Sequence, residues 1–316
     1  MKILITGASG YLGGRLASSL ESNNNSIHLV SRNKISKDKY KNISYSSSTI
    51  IDWEDQESLL KSVKGMDTVI HLAGMNAQDS IKDVLEADKV NEGNTLALLS
   101  AAIDSNVKNF LYLSTAHVYA NPLEGSFNEL SPINGDHPYA TSHYLGEKAV
   151  SEAHKKKLIN ATIVRLSNAF GAPIHKDINC WMLLANDLCK QLAKNNMMVI
   201  RSSGEQRRNF ITLTETARAI EHLIFNDIYY DNPVFNVGSD WNPKIKEIAS
   251  LIASRFEVIT GIEPSVEFGE GSDDAECKLD YSINKLKQSG FVPSPQSTFE
   301  FEIDLLIKSS IGFFGT

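Results

Sequence analysis

The stretch Met1-Lys-Ile-Leu-Ile-Thr-Gly-Ala-Ser-Gly-Tyr-Leu-Gly-Gly14 decides the fold of this chain. Its residues 3–5 form a short apolar run with β-branched side chains, which is typical of a buried parallel strand. Glycines follow at three-residue spacing, at positions 7, 10 and 13. Leucines then recur every fourth residue from position 12 to position 20, and this period predicts a helix. The stretch therefore predicts a strand, a glycine turn and a helix in succession.

Glycine at such a corner permits a tight turn, lets the backbone approach a pyrophosphate closely and allows the helix to pack on the strand. The free N–H groups at the helix N-terminus then bind the anion. An ordinary strand–turn–helix corner has the same outline. Because the glycines open the helix directly after a strand at the chain terminus, and Thr6 precedes the first of them, the sequence favours nucleotide binding.

The composition argues against several classes of function. The chain has 316 residues, 42% of them hydrophobic, which suffices for one large domain or two intimate ones. A formal net charge of −7 and a pI near 5.7 give no basic field for nucleic acid or an anionic membrane. Cys180, Cys189 and Cys277 are too few and too scattered for a disulfide framework or a zinc cluster, and we expect no metal. With a strand predicted from residue 3 and no apolar run near the ~20 residues of a membrane span, we expect a cytoplasmic protein.

Strands and helices alternate along the first half of the chain. Predicted strands cover residues 27–30, 47–52, 67–74, 110–115 and 161–168, and predicted helices cover residues 54–64 and 90–102. This alternation predicts an α/β fold with a doubly wound parallel sheet, a Rossmann fold, over residues 1–172. A helix near residues 181–194 and a strand at 199–201 follow in a different rhythm. We expect a smaller, mixed substrate-binding domain over residues 173–316, with segments near 205–238 returning to the Rossmann part.

The end of the second strand indicates which dinucleotide is bound. In such folds an acidic residue here bonds the ribose 2′-hydroxyl of NAD, whereas an arginine accommodates the 2′-phosphate of NADP. The sequence at this point is Ser31-Arg32-Asn33-Lys34, without a carboxylate. A surface arginine just past a strand has the same appearance. We nevertheless expect Arg32 to bind the phosphate through charge-assisted hydrogen bonds, which favours NADP over NAD.

The spacing Thr6-Gly-x-x-Gly-x-x-Gly13 resembles the short-chain dehydrogenase/reductase superfamily, whose members transfer hydride between an alcohol and a nicotinamide. Such a reaction needs a proton donor and acceptor at the same oxygen, and a tyrosine serves if positive charge lowers its pKa from about 10. The superfamily uses Tyr-x-x-x-Lys, which places both side chains on one helix face. This chain offers a literal match, Tyr144 with Lys148, and a second pair, Tyr139 with His143.

The two tyrosines compete, because five residues place them about 140° apart around a helix. The extended, nucleotide-sugar branch of the superfamily reads Pro-Tyr-x-x-Ser-Lys, with an acidic residue one turn later. Five residues fall in that frame: Pro138, Tyr139, Ser142, His143 and Glu147. Context therefore favours Tyr139, with Tyr144 as the alternative. His143 has an ordinary pKa near 6.5, so either it is held protonated, or the nicotinamide charge activates Tyr139, or catalysis is weak.

The resemblance covers residues 2–305 and implies a role for residues along the whole of that range. The catalytic set is a hydroxyl just before a Val-Tyr-Gly-like turn and the tyrosine pair, here Thr115, Tyr139 and His143. Implied cofactor contacts are Gly7, Ser9, Gly10, Tyr11, Leu12, Arg32, Asp52, Trp53, Leu72, Ala73, Gly74, Asn91, Tyr139 and His143. Implied substrate contacts are Thr115, His117, Asn168 and Arg208.

The same comparison shows two departures from the branch. Ala116-His117 stands where the 4,6-dehydratases carry Asp-Glu, which disfavours dehydration. The branch also has an arginine near the C-terminus as a second pyrophosphate ligand. Here Asp273-Asp274-Ala-Glu276 stands in its place, with Lys278 as a weak substitute.

We therefore expect an enzyme that transfers hydride at C4 of a nucleotide-linked sugar, with NADP favoured over NAD. The reaction is either reduction of a 4-keto sugar or C4 epimerisation. One alternative is an NADPH-dependent carbonyl reductase whose small substrate carries no nucleotide. Another is a catalytically weak NADP-binding protein, which the histidine at position 143 suggests. The resemblance also implies a homodimer that packs through the helices of Asn91 and Tyr139.

Overall fold

The computed structural model describes residues 1–21, 25–35, 40, 43, 45–226, 229–270 and 278–315. The chain forms two units, each built from several segments. The first unit comprises Met1–Pro122, Glu129–Leu166 and Ala217–Val237. The second comprises Leu123–Asn128, Ser167–Thr216 and Gly238–Thr316. Within the described ranges, none of the helices combines the length and apolarity that a membrane crossing requires.

The elements are numbered in chain order. The strands are β1 (Lys2–Thr6), β2 (Ser26–Ser31), β3 (Ser47–Ile50), β4 (Thr68–His71), β5 (Asn109–Thr115), β6 (Gly125–Phe127), β7 (Asn160–Leu166), β8 (Asn168–Phe170), β9 (Met197–Ile200), β10 (Phe210–Thr212), β11 (Val234–Val237), β12 (Ser265–Phe268) and β13 (Leu279–Tyr281). The helices are α1 (Tyr11–Glu21), α2 (Gln56–Val63), α3 (Ala77–Lys82), α4 (Val84–Asp88), α5 (Asn94–Asp104), α6 (Pro138–Lys155), α7 (Leu184–Asn195), α8 (Leu213–Phe225), α9 (Ile245–Thr260), α10 (Asn284–Gln288) and α11 (Ser297–Phe314).

The first unit is organised around a seven-stranded parallel sheet in the order β11-β7-β5-β4-β1-β2-β3. This confirms the predicted Rossmann fold. The side chains of residues 3–5 are fully buried in β1, as the apolar run predicts. Strand order reverses between β1 and β4, and ligands of such sheets bind outside the carboxyl ends of the strands at this point. The glycine turn follows β1, so the sheet places it at the reversal.

Three predicted helices differ in detail from the observed ones. The helix expected over residues 90–102 is interrupted, because Lys89–Gly93 form a π-helical turn between α4 and α5. The helix expected from residue 181 begins only at Leu184. The helix expected from residue 54 begins two residues later, at Gln56, because the Asp55 side chain caps it by accepting from Glu57 N–H.

The second unit is a mixed assembly of helices and short strand pairs. Its strands pair in parallel as β8 with β10, β9 with β12, and β6 with β13. Helices α7, α9 and α11 pack against each other around an apolar core. Fully buried members of that core include Leu192, Met198, Ile248, Ile252, Ile303, Leu306 and Ile307.

Candidate active site

A tightly packed backbone corner, which we call the glycine cradle, spans residues 7–13 after β1. Gly7 adopts φ +65°, a left-handed conformation that favours glycine. A Cβ atom added at Gly7 would stand 2.8 Å from Ala73 N, and one at Gly13 would stand 2.3 Å from Gly7 O. Gly10 N–H donates to Gly7 O over 2.8 Å. Because side chains are excluded here, the cradle leaves the N-terminus of α1 accessible to a pyrophosphate, and these residues fit a dinucleotide.

A buried polar network ties the ends of β1 and β4 together beneath the cradle. Thr6 Oγ1 lies 2.7 Å from His71 Nδ1 and accepts from Ala73 N–H over 3.2 Å. His71 Nε2 lies 3.0 Å from Thr95 Oγ1. Burial lowers the pKa of His71 to about 3, with a further contribution from His143. The ring is therefore neutral at pH 7, and both of its nitrogens are hydrogen-bonded.

This neutral histidine predicts a stability that falls on mild acidification. His71 has an ordinary pKa of 6.5 when unfolded and about 3 when folded, so below pH 6.5 only the unfolded chain takes up the proton. Its contribution to stability is complete above pH 6.5 and decreases by about 1.4 kcal/mol per pH unit below it. Urea unfolding between pH 7.5 and pH 5.5 measures this slope. We expect a shallower slope in His71→Asn, and an unchanged slope in that variant would contradict the assignment.

Thr115, Tyr139 and His143 come together at the carboxyl end of β5. The Thr115 side chain lies near enough to the Tyr139 hydroxyl to influence its pKa. The rings of Tyr139 and His143 meet edge to face, with centroids 4.6 Å apart. Pro138 is the first residue of α6, as predicted, and His137 Nδ1 caps the helix by accepting from Tyr139 N–H over 3.1 Å. The structure therefore groups the three residues that the resemblance places in the catalytic set.

The literal Tyr-x-x-x-Lys pair lies elsewhere on α6. Lys148 is exposed, and its Nζ lies 5.3 Å from the centroid of the Tyr144 ring. The pair is thus a cation–π contact within the helix. This arrangement favours Tyr139 over Tyr144 as the tyrosine of the site.

The surroundings of Thr115, Tyr139 and His143, which we call the catalytic cluster, disfavour charged side chains. Burial raises the pKa of Tyr139, and the nearby Thr115 hydroxyl only partly opposes this. Burial also lowers the pKa of His143 to about 4. Of the alternatives that the sequence leaves open, a protonated His143 is therefore disfavoured by its surroundings.

Asn91 lies in the π-helical turn and connects two parts of the site. Its Oδ1 accepts from Met75 N–H over 2.7 Å, and its Nδ2 donates to Ser142 Oγ over 2.9 Å. Its carbonyl oxygen accepts from Thr95 Oγ1 over 2.7 Å. π-Helical turns are frequently found at functional sites. Here the turn lets one asparagine fix the loop after β4 to helix α6, which explains a poor helix former at this position.

A buried ion pair anchors α6, the helix that carries Tyr139 and His143, to the sheet. Glu147, on α6, contacts Arg165 of β7 with Oε2 2.6 Å from Nη2, and both side chains are nearly inaccessible. Ser114 Oγ donates to Glu147 Oε1 over 2.5 Å. The guanidinium of Arg165 also lies over the Tyr119 ring, 4.7 Å from its centroid. Glu147 therefore occupies the family's acidic position as a structural anchor one turn from His143.

The other predicted cofactor residues lie around the cradle and along the neighbouring strand ends. Ser9, Gly10, Tyr11, Leu72 and Ala73 are half-buried, Leu12 is buried and Gly74 is exposed. Arg32 and Asp52 are exposed. The Asp52 carboxylate accepts from Glu54 N–H over 3.0 Å. Trp53 is half-buried, packs on the apolar core of the first unit and has its ring centroid 5.8 Å from that of His71.

The predicted substrate residues are divided between the two units. In the first, His117 N–H donates to Thr115 Oγ1 over 3.2 Å. In the second, Asn168 Nδ2 donates to Asn209 O over 2.9 Å. Arg208 is exposed, and no carboxylate within the described ranges forms an ion pair with it. Residues 273–276, which replace the expected second arginine, lie outside the described residues.

The sequence does not mark two residues of the site. His71 is predicted only as part of a strand, although a histidine that ends a fully buried strand is a usable signal. Tyr112, which lies on β5 beneath His143, is likewise predicted only as part of that strand, and nothing in its spacing marks it. Its Oη lies 3.0 Å from His143 Nδ1.

The sequence profile of the NAD dependent epimerase/dehydratase family matches residues 3–238. The chain therefore belongs to this family, which confirms the resemblance to the extended short-chain dehydrogenases/reductases. Among its relatives is the dTDP-D-glucose 4,6-dehydratase of Mus musculus, 26% identical over 78% of this chain and 71% of that protein. Another is a putative UDP-glucose 4-epimerase of Methanocaldococcus jannaschii, 23% identical over 92% of this chain and 93% of that protein.

Solved structures show the same fold over the whole length. The UDP-N-acetylglucosamine 4-epimerase of Methanobrevibacter ruminantium M1, in complex with UDP-N-acetylmuramic acid, superposes with a TM-score of 0.84 at 23% identity, covering 98% of each chain. The UDP-glucuronic acid 4-epimerase of Bacillus cereus, in complex with UDP-glucuronic acid and NAD, gives a TM-score of 0.80 at 21% identity, covering 99% of this chain and 100% of that one.

Proposed function

We propose that this chain is an NAD(P)-dependent enzyme that transfers hydride at C4 of a nucleotide-linked sugar, either reducing a 4-keto sugar or epimerising C4. The observation that carries the proposal is the cluster of Thr115, Tyr139 and His143 at the carboxyl end of β5. It lies on the same sheet edge as the glycine cradle, where a dinucleotide fits. Relatives and structural neighbours that are nucleotide-sugar 4-epimerases and dehydratases support the same substrate class. Because Ala116-His117 replaces the Asp-Glu pair of the dehydratases, we do not propose dehydration.

Each residue of the cluster has its own role in proton transfer. A bound nicotinamide supplies the hydride acceptor or donor, and its oxidised ring carries a positive charge. Tyr139 Oη takes the proton from the C4 hydroxyl when hydride leaves C4, and returns it when hydride arrives. Thr115, near the Tyr139 hydroxyl, would orient the same sugar oxygen. His143, one turn along the helix, contacts the Tyr139 ring and would hold the cofactor ribose.

Tyr139 lacks the permanent cation that lowers the tyrosine pKa in the superfamily. His143 is neutral at pH 7, because its pKa is about 4. Two other sources of positive charge are available to the phenolate. Tyr139 is the second residue of α6, where the helix dipole favours a negative charge, and the oxidised nicotinamide adds its own charge. We therefore expect proton transfer to depend strongly on the redox state of the cofactor.

The second unit supplies a candidate diphosphate ligand. Arg208 is exposed and has no described carboxylate partner, so its guanidinium is available to the diphosphate of a nucleotide sugar. A carbonyl substrate without phosphate would not need this cation. A requirement for Arg208 would thus distinguish nucleotide sugars from carbonyl compounds without phosphate as substrates.

The proposal is tested by a binding and turnover screen. The purified chain is incubated with NAD(H) or NADP(H) and a panel of UDP-, GDP- and dTDP-hexoses and 4-keto hexoses. Binding raises the thermal midpoint, nicotinamide absorbance reports reduction, and NMR of the sugar reports epimerisation. We expect one nucleotide sugar to stabilise the protein and turn over, with both effects weakened in Arg208→Gln. Reduction of a phosphate-free carbonyl compound without any response to nucleotide sugars would favour the carbonyl reductase instead.

We further propose NADP as the preferred cofactor, on the basis of Arg32 at the end of β2. Its side chain is exposed, and the segment carries no carboxylate for a ribose 2′-hydroxyl. The structural neighbour from Bacillus cereus binds NAD, so the preference needs a direct test.

Replacing Arg32 with glutamate is expected to weaken NADPH binding roughly 10- to 100-fold, because charge-assisted hydrogen bonds to the 2′-phosphate are lost. NADH binding should stay the same or improve. Fluorescence titration with both reduced cofactors measures the ratio. Arg201→Glu, the same change at an exposed arginine of the second unit, is the control. Equal effects of Arg32→Glu on the two cofactors would show that Arg32 does not select between them.

We also propose a homodimer formed through the helices on the α6 side of the sheet. Helices α3 and α4 pack on α6, and their outer side chains include Ile81 and Leu85, which are 61% and 82% exposed. Leu96 of α5 is 44% exposed. Light scattering should report a dimer for the wild-type chain and a monomer for Leu85→Asp. Leu130→Asp, at an equally exposed leucine, should remain dimeric, and a monomeric wild-type chain would exclude the proposal.

A further inference from the structure

The position that carries lysine in the family is occupied here by a histidine whose two nitrogens have different surroundings. His143 Nδ1 faces inward and lies 3.0 Å from Tyr112 Oη. Nε2 has no hydrogen-bond partner among the described residues and faces the loop after β4. A Cβ atom added at Gly74 would stand 3.7 Å from it. A neutral imidazole carries one N–H, so the inner contact determines whether Nε2 is a donor or an acceptor towards the cofactor.

The inner contact depends on space left by a glycine. Tyr112 is buried on β5, and its Oη reaches under α6 to within 3.2 Å of Asn91 O. A Cβ atom added at Gly146 would stand 2.6 Å from Tyr112 Oη and 3.0 Å from Asn91 O. Gly146 follows His143 by about one helical turn. The chain therefore combines a histidine, a tyrosine beneath it and a glycine that lets the two meet.

The hydrogen-bond directions follow from the carbonyl oxygen of Asn91, which can only accept. Thr95 Oγ1 donates its one hydrogen to Asn91 O over 2.7 Å. His71 is then protonated on Nε2 and donates to Thr95 Oγ1. The bare Nδ1 of His71 accepts from Thr6 Oγ1, which itself accepts from Ala73 N–H. Asn91 O therefore already accepts one side-chain hydrogen bond, from Thr95.

The remaining hydrogen belongs to Tyr112. Its Oη is closer to His143 Nδ1, at 3.0 Å, than to Asn91 O at 3.2 Å or His143 O at 3.4 Å. Burial raises the pKa of Tyr112 well above 10, so the phenol keeps its hydrogen and is a donor.

We propose that Tyr112 is a positioning residue that fixes His143 as its Nε2–H tautomer, so that this chain presents a neutral hydrogen-bond donor to the cofactor ribose. The donor then takes the place of the lysine ammonium without adding a charge beside Tyr139. The tautomer is a property of the protein alone. Its consequence for the cofactor rests on the proposed function.

The tautomer is measured directly on the protein without cofactor. Long-range ¹H–¹⁵N correlation spectra of the chain labelled with ¹⁵N-histidine distinguish a protonated nitrogen from a bare one, and His143→Gln assigns the signal. We expect Nε2 protonated and Nδ1 bare in the wild-type chain at pH 7.5, and a mixture of tautomers in Tyr112→Phe. Tyr119→Phe is the matched control, because it removes another buried hydroxyl, which is bonded to Asn236 Oδ1 at 2.7 Å. Protonated Nδ1 in the wild-type chain, or an unchanged tautomer in Tyr112→Phe, would overturn the proposal.

A second readout separates positioning from packing. Tyr112→Phe should raise the cofactor Kd about tenfold, the effect of one hydrogen bond. In a His143→Lys background the same substitution should leave the Kd nearly unchanged, because lysine has no tautomer to fix. An equal effect in both backgrounds would show that Tyr112 acts through packing alone. If the tautomer is as expected while no nucleotide sugar turns over, the proposed function fails and the assignment of Tyr112 stands.

Discussion

Replacing Tyr139 with phenylalanine is expected to lower kcat by roughly 10²- to 10⁴-fold, the usual contribution of a general acid–base group. Phenylalanine keeps the ring that meets His143 edge to face and removes only the hydroxyl near Thr115. KM and cofactor affinity should therefore change little. Steady-state kinetics with the substrate found in the screen, and titration with the reduced cofactor, measure the three quantities separately.

The matched control is Tyr144→Phe, on the same helix five residues later. Tyr144 contacts Lys148 in a cation–π pair and lies away from the catalytic cluster, so its hydroxyl should not affect turnover. A large loss of kcat in Tyr144→Phe with normal turnover in Tyr139→Phe would reverse the assignment and select the literal Tyr-x-x-x-Lys match. Normal turnover in both would exclude Tyr139 and Tyr144 as the proton donor.

The sheet of the first unit could be predicted because its signals are local. The apolar run at residues 3–5, the glycines at 7, 10 and 13 and the leucine period of α1 each depend on short-range geometry. The division of the chain into a cofactor part and a substrate part stays a prediction. The π-helical turn at Lys89–Gly93 had only a weak signal, since its cause is tertiary: Asn91 bonds Met75 and Ser142, which belong to other elements.

The sequence predicts which residues form the site better than it predicts their charges. The motif frame selected Thr115 and Tyr139, and the structure brings them into contact. The protonation of His143 could not be predicted, because it depends on burial by β5, α6 and the loop after β4. The sequence shows a titratable residue with an ordinary pKa near 6.5, whereas its surroundings lower that pKa to about 4. Tyr112 was missed for the same reason, since only the packing shows that its hydroxyl reaches Nδ1.

Replacing Arg165 with methionine is expected to destabilise the protein by about 3–5 kcal/mol, because it leaves Glu147 buried without its partner. The side chains of Arg165 and Glu147 are only 5% and 3% exposed, so water cannot replace the lost hydrogen bonds. Glu147 lies on the helix that carries Tyr139 and His143. Because an unpaired carboxylate is unfavourable in the core, we expect this helix to shift. Urea unfolding measures the stability, and the catalytic rate at low temperature reports the displaced site.

Two further variants test whether the burial of Glu147 and Arg165 is the reason for the expected loss of stability. Lys156→Met breaks an ion pair of similar length at the end of the same helix, with Nζ 2.6 Å from Glu152 Oε1, but both side chains are more than 60% exposed. Exposed pairs contribute about 0–1 kcal/mol, so this change should be nearly neutral. The double replacement Glu147→Leu with Arg165→Met removes both buried charges and should recover most of the lost stability. If the double variant is as unstable as Arg165→Met, the loss comes from the packing of Arg165 on Tyr119, and the carboxylate at position 147 is not the cause.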